Sequence, residues 1–209
     1  MVLCLLIGDS HLPYRAKDVS EIILNELDEM TTEQLFDHTF FTGDAIKAPD
    51  FMKFLERRTE KNFFIVLGNM DYYYGNRISP EYHELNILLN SNNKLNIGLI
   101  HGAQIRPRGD HSQLESLAIE KANNILISGH THKEEVFLTK KGILLINPGS
   151  VTGAWSFISS GIPSFSAIRI NKQNNDIQVS LYQLNTKNNE ISKLDSYYIF
   201  ENNRIHYKY

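Results

Sequence analysis

The sequence predicts an α/β protein whose strands form two packed sheets, and three observations predict it. Continuously apolar runs alternate with amphipathic helical stretches through the first half, the pattern of βαβ units and a largely parallel sheet. After about position 133 the runs become short strands separated by Lys-Gly, Asn-Asn and Asn-Lys turns, which suit antiparallel hairpins rather than crossovers. No repeat, linker-like stretch or shift in composition divides the chain, so residues 1–209 are expected to form a single domain around a shared core.

Val2–Ile7 is apolar at every position, as a strand buried on both faces requires. Val19, Ile22, Ile23, Leu24 and Leu27 fall on one side of a helix over Asp18–Leu27. Thr39–Thr42 reads as the second strand, Phe51–Leu55 as part of the second helix, and Phe63–Leu67 as the third strand. Leu95–Ile100 and Ile125–Ile127 continue the pattern, with a helix over Gln113–Lys121 between them. The hairpin strands expected beyond are Val136–Thr139, Ile143–Ile146, Phe165–Ile170, Ile177–Leu184 and Ser196–Phe200.

Composition narrows the function classes. The chain is 42% hydrophobic and 22% charged, with a net charge of −3 and no run of like charges, so it lacks the basic footprint of a nucleic-acid binder. The lone Cys4 rules out a disulfide framework and fits a reducing compartment. The apolar start has no basic flank and is far too short for a membrane span or a signal segment, which suggests a cytoplasmic protein. No P-loop, Gly-x-Gly-x-x-Gly or Gly-x-Ser-x-Gly is present.

The chemistry sits where the strands end. Gly8-Asp9-Ser10-His11 follows the first strand, Gly43-Asp44 the second and Gly68-Asn69-Met70-Asp71 the third. His101-Gly102 and Gly129-His130-Thr131-His132 follow the next two. Loops at the carboxyl ends of strands converge, so these segments bring Asp9, His11, Asp44, Asn69, His101, His130 and His132 to one place. Carboxylate, carboxamide and imidazole donors without thiolate suit Mn, Fe or Zn. Seven donors are too many for one four-coordinate ion and fit two divalent ions bridged by a carboxylate. His38, His83, His111 and His206 lie outside the pattern and read as ordinary hydrogen-bonded residues. Ser10 and Ser150 read as cap, turn or packing residues, and Trp155, Tyr197, Tyr198 and Phe200 as core or hairpin packing.

These blocks, in this order, resemble the calcineurin-like metallophosphoesterases. The stretches Gly8–Arg15, Gly98–Asp110 and Ile127–Trp155, with Ile162–Phe165 and Leu181–Leu184, resemble more narrowly the small retromer subunits within that superfamily. The resemblance implies a four-layer α/β/β/α sandwich with mixed sheets. It also implies one metal held by Asp9, His11, Asp44 and His132, and a second by Asp44, Asn69, His101 and His130. In the phosphoesterases the residue after the matching Asn is often a His that assists catalysis; here it is Met70, whose thioether cannot donate a proton.

The function this resemblance implies is that of a scaffold without a catalytic residue, in endosome-to-Golgi retrograde protein transport. Such a protein sits peripherally on endosome membranes through the retromer complex. The alternative is an active metal-dependent phosphodiesterase on a small phosphorylated substrate. The metal-bearing end would dock the helical-solenoid subunit of retromer, facing it with Arg106 and Arg108 where the family commonly carries apolar residues. An apolar patch on the opposite face would take regulatory proteins through Leu3, Ala167 and Tyr182, with Ala167 and Ser180 smaller than is usual there.

Overall fold

A computed structural model describes residues 1–89 and 93–208. The elements in chain order are β1 (Val2–Ile7), α1 (Glu21–Met30), β2 (Phe36–Phe41), α2 (Pro49–Glu56), β3 (Thr59–Ile65), α3 (Asn69–Tyr73), β4 (Tyr82–Leu88) and β5 (Lys94–Ile100). They continue with α4 (His111–Glu120), β6 (Ile125–Ile127), β7 (Glu135–Leu138), β8 (Leu144–Asn147), β9 (Ser164–Asn171), β10 (Asp176–Asn185), β11 (Glu190–Glu201) and β12 (Arg204–Tyr207).

Among the described residues the strands form a seven-stranded sheet, β12-β11-β10-β9-β1-β2-β3, and a five-stranded sheet, β4-β5-β6-β8-β7. Both are mixed. β1, β2 and β3 run parallel, and β9 to β12 add to the β1 edge antiparallel. In the smaller sheet β5, β6 and β8 run parallel, while β4 and β7 flank them antiparallel. The parallel and antiparallel halves of the chain therefore do not correspond to separate sheets, because each sheet recruits strands from both.

Alternation along β1 shows why the layers form. Cys4 and Leu6 point between the sheets, into the same core as Ile97, Ile127 and Ile146 of the second sheet. Leu3, Leu5 and Ile7 point the other way and pack beneath α1 and α2, through Ile23, Leu27, Phe51 and Leu55. Leu114 and Ala118 of α4 cover the outer face of the smaller sheet against Ile100, Leu126 and Leu145. The resulting order is helices, sheet, sheet, helix, which is the expected four-layer α/β/β/α sandwich.

This packing corrects two expectations. Leu3, Ala167 and Tyr182 are 5%, 1% and 4% exposed and belong to the core under α1, with Tyr182 stacked on Phe165 at 4.6 Å between ring centres. They form no open apolar patch, because the apolar side of α1 covers this face. Trp155 is not core either: it is 63% exposed and meets Phe157 edge-on at 5.1 Å. Tyr198 and Phe200 are buried between the sheets as expected, whereas Tyr197 faces out.

Candidate metal centre

The loops after β1, β2, β3, β5 and β6 meet at one pole of the sandwich. Their backbone is unusual: Asp9, His11, Asp44, His130 and His132 all have positive φ, between 49° and 67°. Left-handed backbone at non-glycine residues is costly and clusters where side-chain placement matters more than local comfort. Two glycines make room for the carboxylates. A Cβ on Gly68 would overlap Asp44 Oδ1, and one on Gly129 would overlap Asp9 Oδ2.

Each carboxylate is anchored by one oxygen and presents the other. Asp9 Oδ2 accepts from Thr42 Oγ1 at 3.0 Å, the His130 amide is shared between Oδ2 at 3.2 Å and Oδ1 at 3.4 Å, and Oδ1 faces His132 Nε2 at 3.3 Å. Asp44 Oδ1 accepts from the Met70 amide at 2.8 Å and the Asp71 amide at 3.3 Å. Its Oδ2 stands between His11 Nε2 and His101 Nε2, at 3.4 and 3.5 Å.

The imidazoles are oriented in the same way. His101 Nδ1 donates to the Thr42 carbonyl and His132 Nδ1 to the Ala154 carbonyl, both at 2.8 Å. A carbonyl only accepts, so in the neutral rings the proton lies on Nδ1 and the Nε2 lone pair points into the cluster. His132 Nε2 lies 3.0 Å from His11 Nε2, and His101 Nε2 lies 3.2 Å from His130 Nδ1 and 3.0 Å from Asn69 Oδ1.

The structure thus brings all seven expected residues together, in two sets that share Asp44. Asp9, His11, Asp44 and His132 offer donor atoms that all lie within 4.8 Å of one another, and all four residues are buried. Donors held around one ion at about 2.0–2.1 Å in a tetrahedron stand roughly 3.4 Å apart, close to the spacings above. His11 Nδ1 is buried with no hydrogen-bond partner, so nothing in the protein commits this ring to a tautomer that would block coordination through Nε2. Lone pairs crowded at these distances suit a cation, and the residues present fit divalent metal.

Burial and neighbouring charges prepare the ligands. Burial pushes the His11 imidazole down to about 3, and burial with the adjacent His101 and Arg108 pushes His130 down to about 4. Burial, helped by the Asp9 and Asp71 carboxylates against the pull of His101, pushes Asp44 up to about 6. Burial opposes ionisation of Asp9 as well, but the imidazoles of His132, His101 and His11 outweigh it and hold this carboxyl below the usual range.

Several supporting residues had no assigned role in the sequence reading. Asp71 is buried and accepts the amides of Asp44, Ile46 and Gly68 at 2.6, 2.8 and 3.0 Å, tying the loop after β2 to the start of α3. Its place in Gly68-Asn69-Met70-Asp71 was the available signal. Thr42 buttresses both Asp9 and His101. Ser150 donates to the Asp9 carbonyl at 2.7 Å, and Asn147 ties the Gly129 carbonyl and Thr131 at 2.9 Å, consistent with turn and packing roles. His38, His83 and His111 bond to Asn62, Ile65 and Glu135, away from the cluster. Arg106 and Arg108 line a cavity of about 520 Å³ that also touches Asn69 and His130.

Comparison with known proteins places this geometry. Residues 2–168 match the model of the calcineurin-like phosphoesterase superfamily domain. A probable metallophosphoesterase from Methanothermobacter thermautotrophicus is 35% identical over 148 residues, which span 70% of this chain and 76% of that protein. The structure of Vacuolar Protein Sorting 29 from Cryptosporidium parvum superposes with a TM-score of 0.80 at 31% identity, over 95% of this chain and 98% of that one. Vps29 from Entamoeba histolytica, solved in complex with zinc, superposes with a TM-score of 0.77 at 28% identity, over 93% and 99% of the two chains. With the two-sheet sandwich, the strand-end cluster and a family match over most of its length, the chain belongs to the calcineurin-like phosphoesterase superfamily, and its structural neighbours include Vps29 proteins.

Proposed function

We propose that this protein is a small retromer subunit, a single-domain scaffold for endosome-to-Golgi retrograde transport that reaches endosome membranes peripherally through its complex. The observation that carries the reading is the likeness to Vps29, which runs through 95% of this chain and 98% of its counterpart. No helix among the described residues is long and apolar enough to cross a membrane, which agrees with recruitment through partners.

The centre would hold two divalent ions of the Mn, Zn or Fe kind. One belongs to Asp9, His11, Asp44 and His132, and the other to Asp44, Asn69, His101 and His130, with Asp44 shared. Bound ions there would polarise a phosphoryl group and activate water. The chain's own residues supply ligands and orientation, but the position after Asn69 is Met70, which can neither give nor take a proton. That absence favours a structural or ligand-binding use of the metals over turnover.

The helical-solenoid subunit of retromer would dock at the metal-bearing pole, meeting Arg106 and Arg108. A regulatory partner on the opposite face would need side chains other than Leu3, Ala167 and Tyr182, which are buried. Pull-down with the cognate solenoid subunit tests the reading: capture at micromolar concentration supports it, and no capture counts against it. The intact ligand cluster and the 35% identity to a probable metallophosphoesterase favour a second reading, a metal-dependent phosphodiesterase. Robust Mn²⁺-dependent hydrolysis of an activated phosphodiester, abolished by Asp44→Ala, would establish that reading instead.

A further inference from the structure

Beside the metal-bearing pole, the loop after β5 carries two cations with no acid to answer them. Among the described residues no carboxylate lies within 4.0 Å of either Arg106 or Arg108, and of the other arginines only Arg58 has such a partner, so what sets these two apart is their place beside the centre. The nearby acids are committed elsewhere: Asp110 accepts the Gln113 amide at 2.8 Å as the cap of α4, and Glu135 holds His111 at 2.8 Å.

The loop is also held in place. The Gln113 side chain bonds both the amide and the carbonyl of Arg106, pinning this backbone to α4. The Arg108 guanidinium lies over the Phe157 ring, 5.5 Å from its centre, and its Nη1 stands 3.5 Å from the His130 carbonyl. Between this loop and the centre lies the cavity of about 520 Å³, and none of its lining residues is acidic. Asn69 and His130 belong both to its wall and to the seven-residue cluster.

We infer that this cavity is an oxyanion subsite, taking one phosphoryl group of a small phosphorylated ligand whose other phosphoryl group sits on the metals. A concave space of this volume, lined by Arg106 and Arg108 on one side and by Asn69 and His130 of the cluster on the other, suits a diphosphate-like molecule. Guanidinium presents paired donors that match phosphoryl oxygens, and its charge persists at any physiological pH. The inference rests on the metal-centre reading and concerns the free chain, because the solenoid docking proposed above would meet the same two arginines.

The test uses inorganic phosphate and inorganic pyrophosphate as probes on the full chain. Mn²⁺ is titrated first, so that failure of the metal centre is seen separately from failure of the subsite. Calorimetry on the Mn²⁺-loaded protein is expected to show pyrophosphate binding at least about tenfold tighter than phosphate. The Arg106→Gln/Arg108→Gln variant is expected to keep Mn²⁺ binding and lose the preference for pyrophosphate. Equal affinities in the native chain, or a preference that survives in the double variant, would overturn the inference. Native protein that binds Mn²⁺ but neither anion would overturn it too.

Discussion

At Asp44, the proton retained up to about pH 6 has a consequence for metal binding. A cation must displace it, so affinity should fall as the pH drops through 6, and binding near pH 6 should release protons. His11 and His130, at about 3 and 4, stay neutral through this range and do not compete, whereas His132, which burial would lower but Asp9 raises above the usual imidazole range, holds a proton that adds to the same effect. Calorimetric Mn²⁺ titrations in buffers of different ionisation enthalpy check this, and an affinity unchanged between about pH 7.5 and 5.5 would contradict it. Asp71 contributes differently, by gathering three amides from two loops. Asp71→Asn sets an amide group against those donors, at an expected cost of about 2–3 kcal/mol in urea unfolding. It should also weaken Mn²⁺ binding by about tenfold or more. The clustering of the seven residues was legible because each lies at or beside a glycine-containing strand end. The task of Asp71 was not, because its targets are backbone amides up to 27 positions away.

The elements were legible where burial is two-sided and obscure at the margins. β1 and β6 are apolar throughout, and both appear at the expected positions. β3 begins earlier than expected, at Thr59, because an edge strand tolerates the exposed Glu60-Lys61-Asn62. β12 escaped notice because it is a four-residue edge strand with only Ile205 buried, whereas β4 was not assigned although Leu85 and Ile87 alternate with the exposed Glu84, Asn86 and Leu88. α3 escaped because it is only five residues long, too short for a helical period to show. Its start nevertheless bears on function, since Gly68 caps it against Asp44. Gly68→Ala should displace that carboxylate, so the variant is expected to lose Mn²⁺ binding while circular dichroism still reports a folded chain. Native-like metal affinity in a folded Gly68→Ala protein would show that the close approach is unimportant.

Across the whole molecule, convergence of loops from both sheets makes the centre, and this was foreseeable from chain order alone. The interleaving of the two halves between the sheets was not, because hairpin and crossover signals specify local connections and leave open which sheet receives each strand. The burial of Leu3, Ala167 and Tyr182 was hidden for a related reason: sequence shows an apolar strand face but not what covers it. A gain of function probes the role of the residue after Asn69. If Met70 is what silences hydrolysis, Met70→His should raise Mn²⁺-dependent turnover of an activated phosphodiester by about 10²-fold or more. Unchanged turnover in a folded, metal-loaded variant would place the limit elsewhere. The most direct measurement is a titration of metal-free protein with Mn²⁺, alone and as Asp44→Asn. Two ions per native chain, both lost in the variant, are the expected result; no saturable binding to the native chain, or native-like binding to Asp44→Asn, would contradict the two-ion centre.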